Sequence, residues 1–288
     1  MLFINQDQRV IQEVIILDDS FFVNQLNYFG MKYICTLSLL LVFVINAFAI
    51  GKQNNPSNNL KPENLEYDVF FQWGFIWKKA GSANLSLIPT AFDGEPAYKM
   101  MLTGKTTPFF DKVTKVRDTL MTYSNSNLVP IFNEKTLYEG DYRAKDLLTY
   151  KHHPEKTIGQ VRIFRSGTLR LDTTIAVNGK AFDMISIVYY LRSLDIAKLK
   201  PGDIITTNVF SGRHAYKMQF QYMTDKPYKT PSNKVYDCYY FKMLFYDKNG
   251  KLNKNDEMEI WLAKDEQKTP IHMAGKLKIG YLRSIIKD

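Results

Sequence analysis

From residue 65 to the end of the chain, apolar and polar residues alternate in many short segments. In segment 82–87, for example, Ala83, Leu85 and Leu87 alternate with Asn84 and Ser86. A two-residue period places the two sets of side chains on opposite faces of a β-strand. Similar strand-like segments occur at 67–73, 98–103, 132–138, 159–165, 169–177, 204–210, 215–222, 235–246, 257–263, 269–274 and 277–285.

Short turn sequences separate these segments, at Asp93-Gly94, Asn178-Gly179, Pro201-Gly202, Ser211-Gly212 and Asn249-Gly250. Such pairs are typical of tight connections between antiparallel strands. Helices do not alternate with the strands, so a βαβ fold is excluded. After residue 64 there is no second linker, internal repeat or low-complexity tract. The sequence predicts a mainly β fold over 65–288, formed by a single antiparallel, strongly curved sheet or a partly open β-barrel.

One α-helix is predicted within this sheet protein. Apolar residues recur near a 3.6-residue period from Phe182 to Arg192, and Asp183 is a suitable N-cap. Because a single apolar helix must bury its surface, we expect it to plug or cover the curved sheet.

The segment 31–49 has the three parts of a secretory signal peptide. Lys32 supplies a positive charge, residues 33–45 are apolar, and Ala47-Phe48-Ala49 forms a small-x-small cleavage pattern before Ile50. A membrane span would need about 20 apolar residues, and Asn46 ends this run early. The thirty residues before Met31 are interpreted as a mis-called start site, the alternative being a real extension. Residues 50–64 are polar and form a predicted tether.

Removal of residues 1–49 leaves 239 residues with 36 basic and 25 acidic side chains, a net charge of +11. The predicted mature chain keeps one cysteine, Cys238, which we expect to be a small buried hydrophobic residue. Its lysines are spread along the chain, which is not typical of a nucleic-acid binder. No transmembrane span is expected in the mature chain. Its electrostatic partners in the envelope would be lipid head groups or acidic glycans.

Three groups of residues occur in a characteristic order along the chain. They are Leu65-Glu66-Tyr67-Asp68-Val69 with Trp73-Gly74 and Ala80-Gly81-Ser82-Ala83, then Asp183-Met184-Ile185-Ser186 with Tyr189-Tyr190-Leu191-Arg192-Ser193-Leu194, and finally Ile260-Trp261-Leu262-Ala263-Lys264-Asp265 with Thr269-Pro270-Ile271 and Leu277-Lys278-Ile279-Gly280. In this order and spacing the chain resembles the DUF3108 family of exported bacterial proteins, particularly its Bacteroidetes members, over roughly residues 62–286. The resemblance implies a secreted β-rich domain with a curved or barrel-like sheet. It implies no reaction, because the family is named for its unknown function.

The sequence contains no pattern that points to a catalytic or cofactor site. Metal-binding spacings such as His-x-x-x-His are missing, as are Gly-x-Ser-x-Gly and phosphate-binding loops, so neither a metal nor a cofactor is predicted. Asp265 and Glu266 are the best candidates for a carboxylate pair, but a solvated acidic turn is the more typical explanation.

Arg192 and Asp265 lie in the segments that carry the family resemblance. Two explanations are open: a structural ion pair that fixes the helix on the sheet, or an anchor for an anionic head group inside the barrel. The predicted ligand-binding residues are therefore Arg192, Asp265, Trp261 and Tyr189.

Three functions are compatible with these features. The favoured one is a non-catalytic protein of the periplasm or the outer-membrane periphery that binds an apolar or anionic envelope component such as a lipid. The second is a structural or protein-interaction module of the envelope. The third is a glycan or ester hydrolase with carboxylates scattered along the chain.

Overall fold

The computed structural model describes residues 60–246, 250–252, 258–277 and 280–288. The predicted extension (1–30), the signal peptide (31–49) and residues 50–59 of the tether (50–64) lie outside these residues. In chain order the strands are β1 (Glu63–Trp73), β2 (Ile76–Phe92), β3 (Glu95–Thr106), β4 (Arg117–Asn125), β5 (Pro130–Glu139), β6 (Tyr142–His152), β7 (Lys156–Arg165), β8 (Thr168–Asn178), β9 (Ala181–Phe182), β10 (Ile204–Ser211), β11 (His214–Asp225), β12 (Tyr228–Lys229), β13 (Val235–Tyr236), β14 (Cys238–Tyr246), β15 (Met258–Ala263), β16 (Pro270–Lys276) and β17 (Tyr281–Ile286).

The strands form one large sheet and one small one. Fifteen of those described pair in the order β8-β7-β6-β5-β4-β3-β2-β1-β17-β16-β15-β14-β11-β10-β9, while β12 and β13 form a separate hairpin. Neighbours in the large sheet are antiparallel, apart from the short parallel pair of β9 with β10. Because β1 pairs with both β2 and β17, the first and last strands of the sheet meet at its centre.

The two ends of the sheet approach each other, so that it forms a nearly closed barrel. β9 follows β8 directly in sequence but pairs with β10, the strand next to it at the other end of the sheet. The Asn208 side-chain amide of β10 donates to the carbonyl oxygens of Asn178 at 2.9 Å and Lys180 at 3.0 Å. We call the region where the two ends of the sheet meet the seam. It is held by side-chain hydrogen bonds as well as by strand pairing.

Both faces of β10 are covered at this seam. Val209 belongs to one buried cluster, together with Met218 and Phe220. Its neighbour Phe210 points to the opposite face and belongs to a second buried cluster formed largely by β6 and β7, including Leu148. Since successive side chains of a strand point in opposite directions, this part of β10 lies between two apolar layers, whereas Ile204 at the start of the strand is exposed.

The main helix, α2 (Ser186–Ser193), connects two buried clusters. Ile187, Val188 and Leu191 pack with β10, β11, β14 and β15, whereas Tyr189 and the preceding Ile185 pack with β1, β2 and β3. A shorter helix, α1 (Pro108–Asp111), joins β3 to β4, and a 3₁₀ turn (Ile196–Lys198) follows α2. The helix predicted from Phe182 to Arg192 is thus confirmed, with its regular part beginning at Ser186.

The predicted cap residue, Asp183, caps the turn that leads into the helix, whereas the residue at the N-cap of Ser186–Ser193 itself is Ile185. The Asp183 carboxylate accepts from the backbone N–H groups of Ile185 and Ser186, both at 3.0 Å. In return, the Ser186 hydroxyl accepts from the Asp183 N–H at 2.9 Å. Two further donors, the hydroxyls of Thr122 and Tyr150, reach the same carboxylate at 2.8 Å and 3.1 Å. The cap therefore also ties the helix to β4 and β6.

The predicted fold class, a mainly β protein with one strongly curved antiparallel sheet and one main helix, is confirmed. The sequence did not predict β4, β6 and α1. The inward positions of β4 include Thr122 and Ser124, both fully buried, and those of β6 include the buried Asp146. Because these strands turn polar side chains inward, they lack the apolar and polar alternation on which the prediction was based. Within the described ranges, no helix has the length and apolar character needed to cross a membrane.

The packing at the seam can be tested at Gly159, a glycine of β7. A Cβ atom at Gly159 in β7 would lie 2.7 Å from Leu148 Cδ1 and 3.0 Å from Phe210 Cε2, whereas one at Gly104 in β3 would meet no atom within 4 Å. We predict that Gly159→Val lowers the free energy of unfolding by about 1–3 kcal/mol because it overpacks the seam. Urea denaturation measures this change, with Gly104→Val as the matched control. Equal losses in the two variants would contradict the packing described here.

Candidate functional site

Arg192, near the end of α2, is fully buried and bound by a carboxylate from the first strand. Its Nη1 and Nη2 atoms contact Glu63 Oε1 at 2.5 Å and Glu63 Oε2 at 2.7 Å, and its Nε donates to the Gln267 carbonyl at 3.1 Å. Burial alone would lower the pKa of the guanidinium, but Glu63 raises that pKa above its usual value. Of the two explanations open for Arg192, the geometry is that of the structural ion pair, with Glu63 rather than Asp265 as the partner.

Two tyrosines enclose this ion pair. The guanidinium carbon of Arg192 lies 5.0 Å from the centroid of the Tyr189 ring, and the Tyr67 hydroxyl donates to the Pro270 carbonyl at 2.8 Å. Burial raises the pKa of both tyrosines far above the usual value, so both hydroxyls are neutral at physiological pH. The structure therefore places the predicted residues Arg192 and Tyr189 together, in a packed polar cluster at the base of the helix.

Asp265 and Glu266 lie in the turn between β15 and β16. The Asp265 carboxylate accepts from the Thr269 N–H at 3.0 Å, and Glu266 pairs with Lys61, both side chains being 67% exposed. From the same turn, Lys268 donates to the Arg192 carbonyl at 2.9 Å. The turn thus packs against the ion pair through its backbone and Lys268, while its two carboxylates have the geometry of a solvated acidic turn.

Trp261 lies in a separate aromatic cluster, on the face of β15 that is turned away from the helix. Its ring stacks on that of Tyr240, with centroids 4.5 Å apart, and meets the ring of Tyr228 edge-on, with centroids 5.2 Å apart. The Lys226 ammonium lies 5.1 Å from the centroid of the Trp261 ring. Cys238 belongs to the same cluster and is 1% exposed, which confirms its prediction as a buried residue. Burial raises the pKa of the Cys238 thiol to about 12. The four predicted ligand-binding residues therefore do not form one site, and their role in binding stays a prediction.

A concave groove of about 520 Å³ lies on the outer face of β5, β6 and β7. The pairs Tyr138 with Arg143 and Thr136 with Lys145 alternate with the pair of Leu137 and Ala144, both of which are buried. The alternating residues consequently point away from the barrel core. This outer groove is lined by Glu134, Thr136, Tyr138, Arg143, Ala144, Lys145, Leu147, Phe164 and Gly167.

The outer groove is predominantly cationic. It continues into a second concavity of about 240 Å³ that shares Tyr138 and Arg143 and adds Lys115 and Arg117. Four cationic side chains therefore line the two concavities, against the single carboxylate of Glu134. That carboxylate pairs with Lys145 at 3.0 Å, and Arg117 pairs with Asp111 at 2.7 Å.

Arg143 is the most available of these cations. It lies 5.1 Å from the centroid of the Tyr138 ring and donates to the carbonyl oxygens of Gly140 at 2.6 Å and Tyr142 at 2.8 Å. No carboxylate pairs with it among the described residues. These contacts hold the guanidinium against the groove wall and leave its charge uncompensated, which suits an anionic group.

Behind the outer groove, the inward faces of β4 to β7 carry a second set of charges. Strand register places Asp118, Lys135, Glu139, Asp146 and Arg165 on this face, and Arg165 contacts Asp146 at 2.5 Å. Burial raises the pKa of Asp118 from 3.8 to about 6, although a hydrogen bond from the Tyr138 N–H and one shared with the Glu139 carboxyl group lower it in part. The barrel interior is therefore polar on this side and apolar around the helix.

Sequence reasoning missed both the outer groove and the residues that hold Arg192. Glu63 was assigned to the tether, and it lies 129 positions from Arg192. Arg143 and Lys145 belong to β6, a strand that was not predicted at all. In the sequence, Arg143 and Lys145 alternate with Ala144 and Asp146. This two-residue spacing indicates that the two cations share one face of a strand, but it does not reveal which strands lie next to it.

Comparison with known proteins identifies a family and a shared fold. The model of the family described as "Protein of unknown function (DUF3108)" matches residues 66–287. No curated protein matches the chain. The fold is similar to that of a β-barrel-like protein of domain of unknown function DUF1849 from Brucella abortus, with a TM-score of 0.53 and 10% identity over 80% of this chain and 97% of that one. At this identity the similarity concerns the fold alone.

The raised pKa of Asp118 predicts how stability depends on pH. A carboxyl group whose pKa is higher in the folded than in the unfolded chain stabilises the fold when protonated, so its contribution is lost as pH rises. We predict that Asp118→Asn removes a decrease in the free energy of unfolding between about pH 4 and pH 6. Chemical denaturation at several pH values measures this. A constant difference between wild type and variant over that range would contradict the prediction.

Proposed function

The chain belongs to the DUF3108 family, and on the geometry of the outer groove we propose that it is an exported, non-catalytic protein of the cell envelope that binds an anionic amphiphile such as a lipid. The observation that carries this proposal is the outer groove itself, where the uncompensated Arg143 guanidinium lies next to aromatic and aliphatic side chains. A ligand with an anionic head and an apolar tail would satisfy both kinds of surface.

The contacts inside the barrel also favour the outer groove, rather than the barrel interior, as the binding site. Two buried clusters fill the barrel interior around α2, and a third covers the inner faces of β6 and β7. Arg192, the residue proposed from the sequence as an internal anchor, is already bound at both terminal nitrogens by Glu63. A ligand there would have to displace a carboxylate from a buried cation, which would leave Glu63 unpaired and is strongly unfavourable.

Export is proposed from the signal-peptide pattern of residues 31–49. The periplasm or the outer-membrane periphery would bring the groove next to lipids with anionic head groups. For the lipid-binding experiment, the chain is expressed from Met31 in a Gram-negative host and recovered from the periplasmic fraction. Its intact mass should correspond to a chain that begins at Ile50.

Binding of dihexanoylphosphatidylglycerol, a soluble anionic lipid, tests the proposal by titration calorimetry below its micelle concentration. We predict that Arg143→Ala with Lys145→Ala weakens binding about tenfold, because two charge-assisted contacts are lost. The control Arg213→Ala with Lys217→Ala removes the same charge from exposed positions of the β10–β11 hairpin and should leave binding unchanged. Equal losses in both double variants, or no binding by wild type, would contradict the proposal. Preference for an acidic oligosaccharide over this lipid would contradict it too.

A structural or protein-interaction module is the second candidate, and the edge of the sheet favours it. β8 pairs on one side with β7 and stands at the end of the large sheet. Exposed and half-buried residues alternate along most of its length. Such an edge can accept a strand from a partner. This candidate would be favoured if Arg143→Ala with Lys145→Ala loses lipid binding but is still recovered with the cell envelope.

A further inference from the structure

The hairpin between β1 and β2 ends in three exposed aromatic side chains. Trp73 is 50% exposed, Phe75 is 99% exposed and Trp77 is 43% exposed. Gly74 forms the turn between them with a φ of 55°. We call Trp73, Phe75 and Trp77 the aromatic tip. Strand register places Trp73 and Trp77 on opposite faces of the hairpin, so the exposed rings lie on both sides of its end. Scattered apolar residues are common on protein surfaces, but three exposed aromatic side chains at the end of one hairpin indicate an interaction site.

The aromatic tip is held in place by its own strands. The Trp77 ring stacks on Phe70, with centroids 5.1 Å apart, and β1 and β2 remain paired as far as Trp73 and Ile76. On the other side β1 pairs with β17, where Gln72 faces Tyr281. The exposed rings are therefore presented on a paired hairpin, so that little conformational entropy would be lost when they bind.

Cationic side chains lie next to the aromatic tip and at the base of its hairpin. Lys78 follows Trp77 directly and is exposed. The Thr107 N–H donates to the Ala80 carbonyl at 2.9 Å, which places α1 beside the base of the hairpin. There, Phe109 is 67% exposed, and Lys112 and Lys115 are exposed as well.

The nearby carboxylates are neutralised by other cations. Asp68 pairs with Lys79 at 2.6 Å, and Asp111 is bound by Arg117 at 2.7 Å and 3.1 Å. The charges of Lys78, Lys112 and Lys115 are thus left to attract an anionic partner.

We infer that the aromatic tip docks on the surface of an anionic lipid bilayer, with its rings at the level of the head groups. Tryptophan is favoured at this level because the ring is apolar and its N–H is polar. Each lysine close to an anionic surface strengthens attachment by roughly fivefold. This inference is independent of the outer groove, which would take single lipid molecules.

The size of the aromatic tip favours a bilayer over a protein partner. Its three rings expose on the order of 400 Å², given the surface of an aromatic side chain. A stable protein interface takes roughly 800 Å² from each partner. A bilayer has no such requirement, because each ring enters the interfacial region independently.

Orientation on the bilayer would also position the outer groove. In an antiparallel sheet the connections alternate between the two ends of the strands. The β1–β2, β5–β6 and β7–β8 turns therefore lie at one end, and α2 lies at the other with Glu63. Gly140 and Gly167, which line the concavities, belong to the turns at the tip end. Docking through the aromatic tip would thus turn the groove entrance towards the lipid.

Vesicle co-sedimentation tests the inference with the chain from Ile50 onward, since the apolar run 33–45 could itself bind lipid. Wild type should bind vesicles of phosphatidylglycerol and phosphatidylcholine in equal parts, and should bind pure phosphatidylcholine at least tenfold more weakly. Trp73→Ser with Phe75→Ser should lower binding about tenfold or more, because the inserted apolar surface is lost. The control Ile204→Ser with Val235→Ser removes exposed apolar side chains that are 50% and 59% exposed elsewhere and should bind as wild type does.

Fluorescence gives a direct second readout, because the chain has three tryptophans and Trp261 is buried. In Trp77→Phe, brominated phosphatidylglycerol should quench the fluorescence of Trp73. The inference is overturned if Trp73 is not quenched, if the control loses as much binding as the tip variant, or if both vesicle types bind equally. Trp73→Ser with Phe75→Ser should leave the calorimetric titration with dihexanoylphosphatidylglycerol unchanged, so failure of the groove proposal is distinguishable from failure of this one.

Discussion

The ion pair between Arg192 and Glu63 joins the parts of the chain that must meet for the barrel to form. A fully buried guanidinium needs a carboxylate and further acceptors, because desolvation of an unpaired charge is very costly. Glu63 begins β1, Arg192 lies in the last turn of α2, and the Gln267 carbonyl from the β15–β16 turn completes the set of acceptors. The Asp183 cap fixes the other end of the helix to β4 and β6. The helix is therefore attached to both halves of the sheet.

The sequence predicted the fold wherever the barrel interior is apolar. The alternation at 82–87 and the helical period from Phe182 to Arg192 both arise from apolar side chains that face the buried clusters. The prediction failed for β4 and β6 because their inward positions include Thr122 and Asp146. Polar interiors are stabilised by partners from distant strands, and a local pattern does not contain those partners.

The same limit applies to the candidate sites. Arg192 was recognised as a residue that needs an anionic partner, but the choice of Glu63 depends on the position of α2 relative to β1. The outer groove depends on the pairing of β5 with β6, and Arg143 alone gives no indication of it. The predicted strand 67–73 ends at Trp73, and the sequence did not indicate that the rings of Trp73, Phe75 and Trp77 are exposed. Together, the groove and the aromatic tip suggest how one end of the barrel could face a lipid surface.

A double-mutant cycle between Glu63 and Arg192 tests the central claim most directly. Glu63→Gln, Arg192→Met and their combination would be compared by urea denaturation, with Glu66→Gln and Lys287→Met as a cycle on an exposed pair. Each single substitution at the buried pair should lower the free energy of unfolding by about 3–5 kcal/mol. The combination should lose at least about 2 kcal/mol less than the sum of the two, while the exposed pair should couple by under about 1 kcal/mol. Additive losses at Glu63 and Arg192 would contradict the account.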